Sequence, residues 1–198
     1  MKDESRELLA SASGGDAASV ESLLERFLPQ LHAFVRLQMG QELRAKESSV
    51  DLVQSACREV LEHLDRFQYT GESNFRHWLF TTALRKVRNR VAYYRAAKRE
   101  GAQALDTTSG QDAGLLDAYR TLRTPSQELI AHEEVGHLEA AFAQLAPHSQ
   151  QVVLLSRLVG LSHREIAATM GRTESSTRNL LYRALAELAE SMRRHRVT

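Results

Sequence analysis

Apolar residues recur every three or four positions along most of the chain, and this spacing predicts amphipathic helices rather than strands. The first such stretch covers residues 16–40. Pro29 interrupts its pattern and predicts a kink or a boundary, because proline cannot supply the backbone donor of a helix interior. Gly40 is placed to end this first helix.

A second helix is predicted to begin at a serine cap, Ser48 or Ser49, and to run to about Phe67. Asp51 falls in its first turn, where the helix dipole favours a negative charge. The apolar stripe of this helix comprises Leu52, Val53, Ala56, Val60, Leu61 and Leu64.

Turn-forming residues predict a loop over Gln68–Asn74, followed by a third helix from Phe75 to about Lys98. The side chains expected to face inward from it are Phe75, Trp78, Leu79, Ala83, Val87 and Val91. Residues 101–124 are rich in small and polar side chains, and they predict a linker that could reach up to ~80 Å when extended.

Helical periodicity resumes after Pro125, which suits a first helical position. The helices expected there cover about residues 126–144, 148–158, 162–170 and 174–192. The predicted fold class is therefore all-α, with two small helical domains joined by a flexible linker. The expected divisions are a first domain at 1–100, the linker at 101–124 and a second domain at 125–198.

Composition narrows the class of protein. The chain holds a single cysteine, Cys57, so a disulfide framework within it is excluded, and a reducing cytoplasm fits. The charged start of the chain leads into no apolar segment, which predicts no signal peptide and no membrane insertion. The net charge of +1 does not by itself indicate a nucleic-acid-binding protein, whereas the distribution of charge does.

The most specific local pattern lies near the end of the chain. Ser162 and Glu165 have the spacing of a capping box, Gly171 is suited to end that helix, and Thr173 can cap the next one. Two short helices joined by a glycine-containing turn are typical of a helix-turn-helix unit, whose second helix enters the DNA major groove.

The second helix of this unit should present polar residues to DNA. They are Glu174, Ser175, Arg178, Asn179, Tyr182 and Arg183. Arginine and asparagine can form paired hydrogen bonds with guanine and adenine edges, and the serine and tyrosine can bind phosphate or sugar. The alternative is an ordinary helical hairpin with a solvated face, but the two caps, the glycine turn and the base-reading face together favour DNA binding.

A second cluster of chemistry lies between Ser73 and Arg99, a stretch without any Asp or Glu. Its basic residues are Arg76, Arg85, Lys86, Arg88, Arg90, Arg95, Lys98 and Arg99, with five aromatic residues interleaved: Phe75, Trp78, Phe80, Tyr93 and Tyr94. Cations attract the phosphate backbone, and aromatic faces suit unpaired bases. The alternative is a solvated basic face above an aromatic core, and it fits Phe75 and Trp78 in part.

These segments together resemble the extracytoplasmic-function (ECF) group of RNA polymerase sigma factors, of the sigma-70 family. Residues 51–54, 64–67 and 74–80 resemble the sigma-2 domain of the family, and residues 145–154, 160–167 and 177–184 resemble its sigma-4 domain. The resemblance covers about residues 16–100 and 125–190. The chain departs from the family pattern at Arg85, where asparagine is frequent, and at Leu180, where a basic residue is frequent.

The resemblance implies a function in transcription initiation. A sigma factor directs core RNA polymerase to specific promoters and assists promoter melting, and it is not an enzyme and uses no cofactor. The implied partners are core RNA polymerase, through its β′ clamp and β flap, and promoter DNA in duplex and single-stranded form. An anti-sigma protein is a frequent further partner in the family, and the implied location is cytoplasmic.

The resemblance also implies roles for individual residues. Asp51, Leu52 and Gln54 would contact the β′ clamp helices. The residues implied for the melted −10 element are Phe67, Ser73, Asn74, Phe75, Arg85, Lys86, Arg88 and Arg90. Those implied for the −35 element are Ser175, Arg178, Asn179, Tyr182 and Arg183.

Two alternative functions and one metal site compete with this interpretation. A helix-turn-helix regulator with an N-terminal sensor or dimerisation domain would not need the basic aromatic helix, and an RNA-binding protein would leave the C-terminal unit unexplained. His132 and His137 resemble a zinc motif, but five residues place them about 140° apart on a helix. No catalytic or metal-ligating constellation is predicted.

Overall fold

The computed structural model describes residues 17–64, 67, 72–99, 119 and 132–195. Apart from Tyr119, the predicted linker lies outside these residues, as do Pro125 and residues 68–71. The chain divides into two compact units, Met1–Gln111 and Asp112–Thr198. All the regular structure within the described ranges is helical, in agreement with the predicted all-α class.

The first unit contains three helices: α1 (Ala17–Arg44), α2 (Ser49–Glu62) and α3 (Glu72–Arg99). Helix α1 continues through Pro29, which excludes a boundary there. Gly40 interrupts α1 with φ 64° and ψ 171°, a conformation that glycine adopts without steric cost. The break expected at Gly40 is therefore confirmed.

The boundaries of α2 and α3 differ from the prediction at the loop between them. Of the two serines expected as caps, Ser48 caps α2, since its side chain accepts a hydrogen bond from the backbone of Asp51 at 3.4 Å. Helix α2 ends at Glu62 instead of Phe67, because His63 leaves the helical conformation and its Nδ1 lies 2.9 Å from the carbonyl oxygen of Glu59. Helix α3 begins before Phe75, since serine and asparagine favour helix starts as well as turns.

The core of the first unit forms where α1 packs against both α2 and α3. The ring of Phe34 on α1 meets that of Phe80 on α3 edge-on, with centroids 5.0 Å apart. Of the residues expected to face inward from α3, Phe75, Leu79, Ala83 and Val87 are buried, whereas Trp78 and Val91 are half-buried. Packing in the core thus determines which face of α3 remains exposed.

The second unit contains α4 (His132–Gln144), α5 (Pro147–Arg157), α6 (His163–Met170) and α7 (Glu174–His195). The other three helices all pack against α7. Tyr119, within the stretch predicted as linker, is fully buried in this unit, and its hydroxyl donates a 2.8 Å hydrogen bond to Oε1 of Glu139 on α4. Helix α7 thus forms the centre of this core with one side and leaves its opposite side exposed.

Candidate nucleic-acid and partner surfaces

The predicted helix-turn-helix is formed by α6 and α7. Ser162 Oγ accepts a hydrogen bond from the backbone of Glu165 at 3.3 Å, and the Glu165 carboxylate accepts one from the backbone of Ser162 at 2.7 Å. Gly171 ends α6 in the left-handed conformation, with φ 63° and ψ 38°. Thr173 caps α7 by accepting from the backbone of Ser176 at 3.2 Å. The capping box, the glycine turn and the second cap are all confirmed.

The polar face of α7 is exposed throughout. Ser175, Arg178, Asn179, Tyr182 and Arg183 all lie on it, and Tyr182 is 79% exposed. Contacts along this face are local: Arg178 pairs with Glu174 at 3.2 Å, and Arg183 Nε donates to the carbonyl of Asn179 at 3.4 Å. Exposed pairs of this kind contribute little to stability, so they can be exchanged for contacts with a ligand.

The buried face of α7 contains Leu180, one of the two positions at which the chain departs from the family pattern. Leu180 is only 4% exposed and belongs to the core with Thr177, Leu181 and Ala184. Because this position faces the core, a basic residue here would have to be buried. The leucine therefore does not replace a polar group on the exposed face of α7.

An aromatic cleft lies between α2 and α3 in the first unit. The rings of Phe67 and Trp78 are stacked, with centroids 4.4 Å apart and planes inclined by 10°. The cleft has a volume of about 470 Å³, and its walls comprise Glu59, His63, Phe67, Trp78, Thr82 and Arg85. It combines ring faces with a carboxylate, a hydroxyl and a guanidinium, which suits a flat group bearing hydrogen-bonding edges.

The residues implied for the −10 element do not all reach this cleft. Ser73 and Asn74 are exposed in the first turn of α3. Phe75 is 2% exposed, and its ring packs 6.3 Å from that of Phe27 and 5.9 Å from that of Phe67. The expectation that Phe75 would contact a base is not met, because its side chain forms the floor on which Phe67 rests.

The cations of α3 are partly neutralised, although their own stretch of sequence has no acid. Glu59 on α2 forms ion pairs with Arg85 and with Lys86, whose Nζ lies 2.8 Å from Oε2. Glu47, in the connection before α2, pairs with Arg90. The absence of acids between Ser73 and Arg99 therefore does not leave these cations without counter-charges, since the counter-charges come from other elements and are not visible in the local sequence.

Two cations of α3 differ in their surroundings. Arg88 is exposed and makes no ion pair or hydrogen bond within the described part of the chain. Lys86 is largely shielded, and its pKa is lowered by desolvation on burial and by the neighbouring charge of Arg85. Among the cations of α3 whose side chains the structure describes, Arg88 is therefore the one most directly available to a phosphate.

The residues implied for polymerase contact separate into exposed and buried side chains. Asp51 and Gln54 are exposed on α2, as are Arg58 and Glu62. Leu52 is 6% exposed and packs in the core, so its expected contact with a partner is not supported. Leu61 was expected to be inward, but it is 44% exposed. It is the large apolar side chain that α2 leaves exposed.

Other classes of site receive no support from the described residues. They contain no group of three or more histidine, cysteine, aspartate or glutamate side chains placed to hold a metal ion. Burial raises the pKa of the Cys57 thiol, which disfavours the reactive thiolate. None of the helices in the described ranges is long and apolar enough to cross a membrane.

Comparison with known families matches both units. The family described as Sigma-70 region 2 matches residues 23–100, and that described as Sigma-70, region 4 matches residues 137–188. These two matches cover, respectively, the helices that form the aromatic cleft and the helix-turn-helix.

Individual proteins match along nearly the whole chain. The ECF RNA polymerase sigma factor BldN of Streptomyces coelicolor is 30% identical over 183 residues, which are 92% of this chain and 64% of BldN. The ECF RNA polymerase sigma factor SigD of Mycobacterium bovis is 27% identical over 185 residues, which are 93% of this chain and 82% of SigD. This chain thus spans somewhat less than two thirds of BldN.

A solved structure shares the fold. CnrH, in complex with the cytosolic domain of CnrY, is similar with a TM-score of 0.53 and 24% identity, over 93% of this chain and 94% of CnrH. The comparisons do not favour a helix-turn-helix regulator with an N-terminal sensor domain. Both family regions are present in the expected order, and the chain belongs to the sigma-70 family, in its ECF group of RNA polymerase sigma factors.

Proposed function

We propose that this chain directs core RNA polymerase to promoters by holding the melted −10 element on its first domain and the −35 element on its second. The observation that carries the proposal is the presence, in two separate units, of a stacked aromatic cleft beside cations and of a helix-turn-helix with an exposed polar face. The first suits single strands and the second suits duplex DNA. A plain duplex-binding regulator would need only the second.

The proposed −10 surface consists of the cleft and the adjoining cations. An unpaired base could occupy the cleft against the Phe67 and Trp78 rings, since aromatic faces stack on every base. Asn74 lies one turn before Trp78 on the same face of α3, where its exposed amide can bind a base edge. Arg88 would bind the phosphate backbone, together with Arg85, Lys86 and Arg90 once these are released from their carboxylates.

The proposed −35 surface is the exposed face of α7. Arg178 and Asn179 can form bidentate hydrogen bonds with base edges in the major groove. Ser175 and Tyr182 would bind phosphate or sugar, and Arg183 would add a backbone contact. Because the N-terminal part of this helix enters the groove first, Arg178 is the leading base-reading residue.

The proposed protein partners follow from α2 and from the comparison with CnrH. Asp51 and Gln54 would bind the β′ clamp of the polymerase, and the second domain would meet the β flap. The complex of CnrH with a cytosolic domain of CnrY supports a protein partner of that kind here, an anti-sigma protein. The chain would act in the cytoplasm by binding alone, without catalysis or a cofactor.

The test is reconstituted transcription. We expect the full-length chain, added to core RNA polymerase, to give initiation at defined positions on genomic fragments where core enzyme alone gives none. Asp51→Lys should abolish binding to core enzyme, whereas Glu21→Lys, the same change at an exposed acid on α1, should not. Tight duplex binding by the chain alone, with no affinity for core enzyme, would contradict the proposal and favour a regulator.

A further inference from the structure

Three cations of α3 that the proposed function assigns to DNA phosphates are already bound to carboxylates. Glu59 holds two of them, Arg85 and Lys86, and Glu47 holds Arg90. In each case the acid belongs to an element other than α3. A phosphate oxygen that binds one of these cations must therefore take the place of the carboxylate.

The carboxylates of these pairs are more shielded from water than those of ordinary surface pairs, whereas the cations Arg85 and Arg90 are 60% and 42% exposed. The side chain of Glu59 is 24% exposed and that of Glu47 is 12% exposed, so water and salt screen them only in part. The Glu47 carboxylate also accepts a hydrogen bond from the hydroxyl of Tyr94 at 2.9 Å. Releasing the cations to a strand thus has an opposing cost that Arg88, without such a pair, does not have.

The Glu59 pair also borders the aromatic cleft. Both Glu59 and Arg85 line its walls, together with the stacked rings of Phe67 and Trp78. A strand whose base entered the cleft would bring its phosphate, a second anion, next to the Glu59 carboxylate. Because two adjacent negative charges repel, the Glu59 carboxylate must turn away from the phosphate when the strand binds.

We propose that Glu59 and Glu47 are internal substitutes for phosphate, which weaken the sequence-independent binding of single-stranded DNA to the free chain. Binding through α3 then requires each cation to exchange a carboxylate for a phosphate. Sequence-independent affinity depends on the number of net positive contacts, so every internal acid lowers it. Contacts to bases in the cleft add affinity that offsets this cost, which favours strands that the cleft can recognise. The inference rests on the proposed −10 surface.

The test measures binding of a fluorescent oligo-dT, which carries no promoter sequence, to the full-length chain over a series of salt concentrations. Glu59→Gln and Glu47→Gln should each bind about two- to fivefold more tightly than the wild type, the range expected for loss of a partly exposed ion pair. The slope of log affinity against log salt should become more negative by ~0.7 for each acid removed. Glu21→Gln, which makes the same change in net charge at an exposed position on α1, should change neither quantity.

Arg88→Gln separates failure of the inference from failure of the proposed function. If Arg88→Gln weakens oligo-dT binding while the two acid variants bind like Glu21→Gln, the strand lies on α3 but the carboxylates do not oppose it, and the inference is overturned. If Arg88→Gln also has no effect, the strand does not use this face, and the proposed −10 surface fails as well. Circular dichroism checks folding, and Glu47→Gln carries the test if Glu59→Gln does not fold.

Discussion

The Nη2 atom of Arg178 lies 3.2 Å from Oε1 of Glu174, one turn earlier on the exposed face of α7. Both side chains are more than half exposed, and exposed pairs at this spacing contribute about 0.3–0.5 kcal/mol to stability. The pair is therefore too weak to hold the helix together, but it keeps the guanidinium on the face that is proposed to meet the major groove.

Arg178→Ala should reduce discrimination in the −35 element without loss of stability. A bidentate contact with a base is worth about 1–3 kcal/mol, so the preference for the cognate duplex over a single-base variant should fall by about 5- to 150-fold. Fluorescence anisotropy with a set of −35 duplexes measures the preference. Arg193→Ala removes a similar exposed pair with Glu190 on the same helix and should leave it unchanged. Equal weakening on every duplex would show that Arg178 contacts only phosphate.

Phe67→Ala should weaken single-strand binding by about 1–3 kcal/mol, the usual contribution of one stacked base. The chain has one tryptophan, and the Phe67 ring stacks directly on it, so Trp78 emission should report both the substitution and a bound strand. Titration of the full-length chain with a −10 oligonucleotide measures the affinity. Tyr93→Ala removes an exposed aromatic ring from α3 that lies outside the cleft, and should have a smaller effect. Equal losses for both variants would argue against a base in the cleft.

Gly171→Ala and Gly136→Ala should change stability in opposite directions. An added methyl group meets no atom within 4 Å at either site, so backbone conformation alone decides the result. Gly171 has φ 63°, where alanine costs about 1–2 kcal/mol, while Gly136 lies in α4, where alanine gains about 0.5–1 kcal/mol. Urea unfolding of the full-length chain provides the measurement. A stabilised Gly171→Ala would contradict the left-handed cap.

Tyr119→Phe should lower the free energy of unfolding of the second unit by about 1–3 kcal/mol, because it removes a buried hydrogen bond to a carboxylate. The phenol of Tyr119 is fully buried and donates to Glu139 at 2.8 Å. Tyr182→Phe makes the same change at a 79% exposed position, and should leave stability unchanged. Urea unfolding followed by circular dichroism compares the two variants, and equal midpoints would contradict a structural role for the Tyr119 hydroxyl.

Local rules predicted the second unit well because its helix ends depend on residues close in sequence. The capping box at Ser162, the left-handed Gly171 and the cap at Thr173 each involve partners within a few positions. The same kind of rule placed the break of α1 at Gly40 and narrowed the cap of α2 to Ser48 or Ser49, of which Ser48 is the cap observed. Contacts of such short range can be derived from residue order alone.

The ion pairs of α3 and the orientation of Phe75 could not be predicted, because they depend on packing between helices. The stretch from Ser73 to Arg99 shows no acid, yet Glu59 and Glu47 reach its cations from other elements. Whether Phe75 faces a base or the core is likewise decided by Phe27 and Phe67, which lie elsewhere in the sequence. The contacts to DNA and polymerase remain predictions, and they depend on partners that residue order does not describe.

The burial of Tyr119 determines how the chain can be divided into separately expressed pieces. A fragment that begins at residue 125 would lack this side chain and leave a space beside Glu139 that water can enter. A fragment that begins at Asp112 keeps the tyrosine with the unit to which it belongs. Duplex-binding measurements on an isolated second domain are therefore meaningful only with the longer fragment.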